Sequence, residues 1–267
     1  MICKDSNVRA GSTCDELGIG RGVRVYYSVV QSGKERLAAK KDLRNEPAYP
    51  LTEAARYIKV PAATLRAWTF GRPYPTARGS SHFRPIIRPV SLRPPLLSFW
   101  NLIEAHVLRA LRTDHGFSVK AVRQAVDYAQ RELDIEHLLL RQELCFDAGQ
   151  LFLDRYGKLI NLSASGQLAM RQVLQAYLRR VNWDADQFPV RLHPFISSVP
   201  ANSATDSMPI AIDPRISFGR PVVVSRGIST ATIAARIDAG ETVDALAADY
   251  DLSTAEIEHA VVYERAA

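Results

Sequence analysis

The chain has 267 residues, 47% of them hydrophobic, which suits roughly two globular domains and excludes both a peptide scaffold and a large multidomain machine. Its longest apolar stretch, Leu96 to Val107, is broken by Asn101, Glu104 and His106, so it has no run of the roughly 18 apolar residues that a membrane helix needs. The net charge of +6 divides unevenly: five basic and ten acidic residues from Phe195 onward give a rear of −5, and 29 basic against 18 acidic before it give a front of +11. This asymmetry implies a polyanion partner for the front and a different partner for the rear.

The first thirty residues carry Lys4, Asp5, Asp15 and Glu16 and no apolar h-region, which argues against a secretory signal. Three cysteines, Cys3, Cys14 and Cys145, have no metal-ligand spacing, so a soluble chain in a reducing cytoplasm is expected. Residues 1–47 mix charges and glycines, with one strand-like run from Val23 to Val30, and read as an arm or edge element.

A helical block is predicted from Leu51 to Leu133. In it Phe99, Leu102, Ile103, Val107, Ala110 and Leu111 recur at helical spacing, as do Val119, Val122, Val126, Ala129 and Leu133. The middle, 134–194, reads as small α+β: a hairpin over 151–162 turning at Gly157, a helix over about 165–181, and a strand from Phe188 to Leu192. Residues 195–209, rich in Ser, Pro, Ala and Asn, read as a linker. The last block, 210–267, starts extended and continues into three short helices. The first runs from Ser229 or Thr230 to Gly240, the second starts at Thr242, and the third starts at Ser253 with Glu256 completing a capping box. Ile233, Ile237, Val243, Leu246, Ile257 and Val261 are its expected core. The fold class is therefore mainly α with small β elements.

Within 51–71 the sequence LTEAARYIKVPAATLRAWTFG supplies a helix-turn-helix pattern. Thr52 can cap a helix through Tyr57, Ile58-Lys59-Val60 turns, and Pro61 suits the first turn of a second helix ending at Trp68 or Phe70. The apolar residues Ala54, Ala55, Ile58, Val60, Leu65 and Trp68 would join the helices, leaving Ala62, Ala63, Thr64, Arg66 and Thr69 partly exposed. Such a face can approach base edges, with Thr64 and Arg66 donating hydrogen bonds; the same pattern also suits a helical hairpin that only fills a core. From Arg56 to Arg93 there are eight basic residues and no acidic one, and His82-Phe83-Arg84-Pro85-Ile86-Ile87-Arg88 reads as a two-stranded wing. Candidate DNA contacts are Thr64, Arg66, Thr69, Arg72, Arg84 and Arg88.

These front motifs, followed by LLSFWNLIEAHVLRALR, resemble the winged helix-turn-helix of MerR-type regulators over about residues 48–133. The rear resembles a small bacterial domain related to antitoxins. The features are Ile212-Asp213-Pro214, Gly219-Arg220-Pro221, Gly227, Ala239-Gly240 and a terminal helix-turn-helix from Thr242 to Glu264. That resemblance implies a VapB-type antitoxin with a PIN-like ribonuclease toxin as partner; as a DNA binder with two-fold symmetry, the protein is expected to repress its own operon as a homodimer on double-stranded operator DNA. If the toxin presents an acidic metal site, Arg215, Arg220 and Arg226 are candidates to cover it, or they are surface arginines paired with neighbours such as Asp213. The final helix, with Glu256, Glu258 and Glu264 against Arg265, is expected to repel phosphates and make protein contacts. The alternative function is a MerR-like, ligand-responsive regulator with a pocket lined by Phe152, Tyr156, Tyr177 and Trp183. The six scattered histidines form no catalytic or metal-binding pair and no phosphate-cradling loop follows a strand, so neither an enzyme nor a cofactor is expected.

Overall fold

The computed structural model of the chain describes residues 42–76, 79–113, 122–124, 126–127, 137–140, 177–195 and 208–266. The strand at 23–30, the hairpin at 151–162, most of the helix at 165–181, the linker from 196 to 207, the three cysteines, and Phe152 and Tyr156 lie outside the described residues.

Two prolines open the front motif. Pro50 and Pro61 occupy the cap positions of α1 (Leu51–Tyr57) and α2 (Ala62–Phe70), where a missing N–H costs nothing because the first turn has no acceptor for it. Thr52 therefore lies inside α1 and is not its cap, a correction to the sequence expectation. Between the helices, Ile58 and Val60 N–H donate to Ala54 O and Ala55 O at 3.2 and 3.0 Å, and Lys59 takes a left-handed backbone at φ 55°.

The block from Leu51 to Leu133 is not continuously helical. After α2 the chain forms an antiparallel hairpin, β2 (Arg72–Thr76) on β3 (Gly79–Phe83), with Arg72 opposite Phe83 and Tyr74 opposite Ser81. Three short strands, β1 (Tyr49–Pro50), β4 (Ser91–Leu92) and β5 (Pro95–Leu97), then make an antiparallel sheet in the order β1-β5-β4. The paired strands close the front motif onto α3 (Phe99–Thr113).

Helix α3 explains why polar residues interrupt the longest apolar stretch. Every residue from Phe99 to Leu111 is buried, so the helix is a core element with no solvent face, and its polar groups need internal partners. Ser98 and Asn101 exchange side-chain and backbone hydrogen bonds at 3.2 Å to close its first turn. Asn101 Nδ2 also donates to Glu104 Oε2 and to Arg88 O, both at 3.0 Å, while Glu104 Oε1 meets His137 Nδ1 at 3.0 Å. Arg109 donates to Ile58 O at 2.8 Å, fastening the turn between α1 and α2.

The chain continues through β6 (Val181–Trp183) and β7 (Pro189–Leu192), an antiparallel pair with a register shift at Asn182/Trp183. Leu192 bridges Ile212, which joins this pair to the extended start of the rear block. That start forms a second three-stranded sheet, β10-β9-β8, from β8 (Ile210–Ala211), β9 (Val222–Val223) and β10 (Ile228–Ser229). The predicted three helices follow as α4 (Thr230–Asp238), α5 (Val243–Tyr250) and α6 (Thr254–Arg265). Thr242 accepts from Ala245 N, and Ser253 with Glu256 makes the full capping box. Their core is Val223, Ile233, Leu246, Leu252, Ile257 and Ala260, with Ile237, Val243 and Val261 packed at its margin. Burial of each large aliphatic side chain there stabilises the fold by about 1.5–3 kcal/mol.

Of the described residues 48% are helical and 19% lie in strands, so the fold is mixed α+β and not mainly α. The strands of the small sheets are two to five residues long, too short for alternation to register in the sequence. Among the described residues no helix is long and apolar enough to cross a membrane.

Candidate functional site

Helix α2 presents Ala62, Ala63 and Arg66 to solvent, with Thr64 half-buried, and turns Leu65 and Trp68 into the core. Thr69 corrects the expectation. It is buried, and its hydroxyl donates to Leu65 O at 2.9 Å, the back-bond that a helical threonine makes when no other partner is in reach. The exposed edge is therefore small residues followed by one long cation.

The sequence placed a two-stranded wing from His82 to Arg88, but the hairpin of the structure lies earlier. It is the β2–β3 hairpin, whereas Ile86 and Ile87 are buried and donate their N–H groups to Trp68 O at 2.8 and 3.1 Å, tying the following segment to the end of α2. Helix and wing are joined at Gly71, where φ is 72° and a Cβ would stand 2.0 Å from Phe83 O. Only glycine fits this approach.

The wing gathers cations around aromatic rings. Phe83 stacks on Tyr74 at 4.0 Å between centroids, and the Arg72 and Arg123 guanidiniums lie 5.5 and 5.2 Å from the Phe83 ring. Arg123 Nε donates to Arg84 O at 3.2 Å, so Arg72, Arg84 and Arg123 share the base of the hairpin. Burial holds the Arg123 guanidinium below its ordinary range, with Arg72 adding repulsion and Asp127 opposing. Arg72, Arg84 and Arg88 are exposed, and Arg66 lies 5.7 Å over the Phe70 ring of its own helix. Sequence reasoning missed Arg123 because it stands forty residues beyond the wing on a separate helical segment, with no local signal pointing back. Together these groups form a cationic surface with adjacent planar rings, suited to phosphate and sugar contacts.

The rear arginines separate into distinct roles. Arg215 is exposed, but its N–H and guanidinium all address Asp213, at 2.9–3.1 Å, and Arg191 reaches the same carboxylate at 3.3 Å. Burial pushes the Asp213 carboxyl up, yet hydrogen bonds from Arg215 and the nearby charges outweigh it and hold it below the usual carboxylate range. Arg226 pairs with Asp251, the left-handed cap residue of α5. Arg220 is exposed, and its guanidinium has no hydrogen bond or ion pair among the described residues. Just before it Ser217 and Phe218 hold left-handed backbone at φ 49° and 56°, a conformation that costs a non-glycine residue about 1–2 kcal/mol.

Front and rear meet directly. Tyr263 on α6, fully buried, donates its hydroxyl to Tyr57 O at 3.0 Å, satisfying an end carbonyl of α1. Lys59 donates to Tyr263 O and lies 3.9 Å over the Tyr263 ring; burial lowers its ammonium to about 8, with Glu264 opposing and Arg56 and Arg109 reinforcing. Glu264 was expected to face solvent. Instead its side chain is 8% exposed, accepting from Arg56 at 2.9 Å and Thr230 at 2.5 Å, so one of the three carboxylates assigned to an acidic outer face belongs to the junction.

A pocket for the ligand-responsive alternative receives little definition. Tyr177 is buried against His106 and Phe195, while Trp183 is half-exposed on β6; the other two aromatics lie outside the described residues.

Residues 210–263 match the model of a family described as "Protein of unknown function (DUF433)". Over 86% of this chain and 98% of the relative, the sequence is 26% identical to the Mycobacterium tuberculosis H37Rv protein named "Putative antitoxin VapB45". A second protein of that organism, "Uncharacterized protein Rv2308", is 27% identical over 81% of this chain and 90% of its own. Among solved structures, the X-ray crystal structure of Rv2018 from Mycobacterium tuberculosis shares 25% identity and a TM-score of 0.58, covering 81% of this chain and 98% of that one. The likeness thus extends well beyond the segment 210–263, across most of the chain and nearly all of each relative.

Proposed function

We propose that this protein is an antitoxin that binds and silences a PIN-like ribonuclease toxin and represses its own operon as a DNA-binding homodimer. The observation that carries the reading is the similarity, over 86% of this chain and 98% of the relative, to a protein named "Putative antitoxin VapB45". The cationic surface of α2 and the β2–β3 wing supports the DNA half. Small residues at Ala62 and Ala63 let the helix approach a groove, Arg66 reaches toward bases or phosphates, and Arg72, Arg84 and Arg123 flank the backbone. Two copies would read an inverted repeat. The chemistry is that of a binding protein, with no step that makes or breaks a covalent bond.

The toxin half is tested by growth. Expression of the protein encoded beside this gene should arrest a host culture, and co-expression of the full chain should restore it; arrest that the chain does not relieve would remove the antitoxin role. The DNA half is tested by fluorescence anisotropy on the chain's own promoter fragment between 50 and 200 mM salt. Each phosphate contact contributes roughly 0.9 to the slope of log affinity against log salt, so Arg66→Ala with Arg84→Ala should lower the slope by up to about 2. An unchanged slope would detach this surface from DNA.

A further inference from the structure

Among the described residues, Phe218 is the most exposed large apolar side chain, at 95%, and the turn beneath it is well built. Ser217, Phe218 and Gly219 take left-handed backbone in succession, at φ 49°, 56° and 74°. Hydrogen bonds from Ile216 N to Asp213 O, Gly219 N to Ile216 O and Arg220 N to Ser217 O, at 2.9, 2.9 and 3.1 Å, close it. The Gly219 backbone lies so near Tyr49 that a Cβ would stand 2.1 Å from the phenol oxygen. The turn is thus held from behind by tertiary contacts, while the ring it lifts contributes almost nothing to the fold. A strained, exposed aromatic held by its surroundings is what function, and not stability, selects.

The charge beside it is equally unspent. Four of the five arginines in residues 208–266 have carboxylate partners: Arg215 with Asp213, Arg226 with Asp251, Arg236 with Glu241 and Asp249, and Arg265 with Asp238. Arg220 has none among the described residues. An exposed aromatic and an exposed arginine two positions apart are the residue types that anchor protein interfaces, the ring filling a pocket and the guanidinium meeting acids at its border.

We propose that the Phe218–Arg220 turn is the docking knob for a protein partner whose surface offers an apolar socket bordered by carboxylates. The proposal rests on the toxin-binding reading above for the existence of that partner, and it replaces the three-arginine candidate set by one arginine and one aromatic. Arg215 and Arg226 are spent within the fold, so Arg220 alone is left to supply charge to the partner.

The test uses the full-length chain with the photo-crosslinking amino acid p-benzoylphenylalanine at position 218, irradiated in cells with the neighbouring gene co-expressed. The adduct is identified by mass spectrometry, and the captured protein is purified for titration against wild type, Phe218→Gly, Arg220→Glu and the surface control Leu92→Ala. Glycine suits the left-handed turn, so Phe218→Gly removes the ring and keeps the thermal midpoint. We expect affinity to fall at least thirtyfold for Phe218→Gly, tenfold or more for Arg220→Glu, and less than twofold for Leu92→Ala. Affinities within threefold of wild type for both knob variants, adducts only with a second copy of this chain or with lipid, or no adduct would each overturn the proposal. If the neighbouring protein arrests growth, is relieved by the chain, and binds the knob variants normally, the knob fails and the antitoxin reading stands. If the captured partner needs the knob but arrests nothing, the knob stands and the antitoxin reading fails.

Discussion

Replacing Tyr263 with Phe tests whether the rear helices are fastened to α1 as the structure has it. The change deletes one hydroxyl and leaves the ring, so packing against Lys59 persists while the hydrogen bond to Tyr57 O is lost. That carbonyl ends α1 and is left without the partner that Tyr263 supplies. A buried acceptor left unsatisfied costs about 1–2 kcal/mol, which for a chain of this size lowers the thermal midpoint by roughly 2–8 °C. Tyr263→Ala also leaves a cavity and should cost about 3–5 kcal/mol. Unfolding by urea, followed by circular dichroism, reads both. Combining Lys59→Met with Tyr263→Ala should give a coupling of about 0.5–1 kcal/mol, because the ammonium and the ring act on each other. If Tyr263→Phe unfolds with wild type, or the rear helices melt in a separate transition that neither variant moves, the junction contributes nothing and the argument fails.

Two further outcomes are expected. Burial, with Arg109 and Arg180 nearby, lowers the fully buried His106 to about 3, against the opposing hydrogen bond to the Tyr177 carbonyl. The unfolded chain then takes up a proton below about pH 6.5 that the folded chain refuses, so stability falls as pH drops from 6.5 toward 4, with this residue contributing up to about 1.4 kcal/mol per pH unit. Denaturant midpoints for wild type and His106→Phe across that range should converge at low pH; parallel curves would refute the assignment. At the wing, Gly71→Ala forces Cβ into Phe83 O and strains a left-handed residue, so it should destabilise by more than about 1 kcal/mol and weaken promoter binding more than Thr64→Ala does. Wild-type affinity for the alanine variant would show that the helix and wing need not be held together.

Local signals were enough for elements whose ends are written in neighbouring residues. Pro61 announced the start of α2, Ser253 with Glu256 the start of α6, and the periodic Ile233, Leu246 and Ile257 the core they would share. The acid-free run from Arg56 to Arg93 likewise marked the cationic face, because clustered charge needs no fold to be visible. What the chain order hid were contacts between residues far apart along it. Thr69 and Thr64 look equivalent on a helix of unknown rotation, and only packing of Leu65 and Trp68 turned Thr69 inward. Glu264 passed for a surface carboxylate until α6 lay against α1 and Arg56 met it across 208 residues. Arg215, Arg220 and Arg226 carry the same charge within twelve positions, yet Asp213 and Asp251 occupy two of them and leave the third to solvent. Side-chain identity therefore determined which groups could act, whereas tertiary structure decided which were already engaged, since burial and pairing depend on neighbours that sequence distance does not reveal.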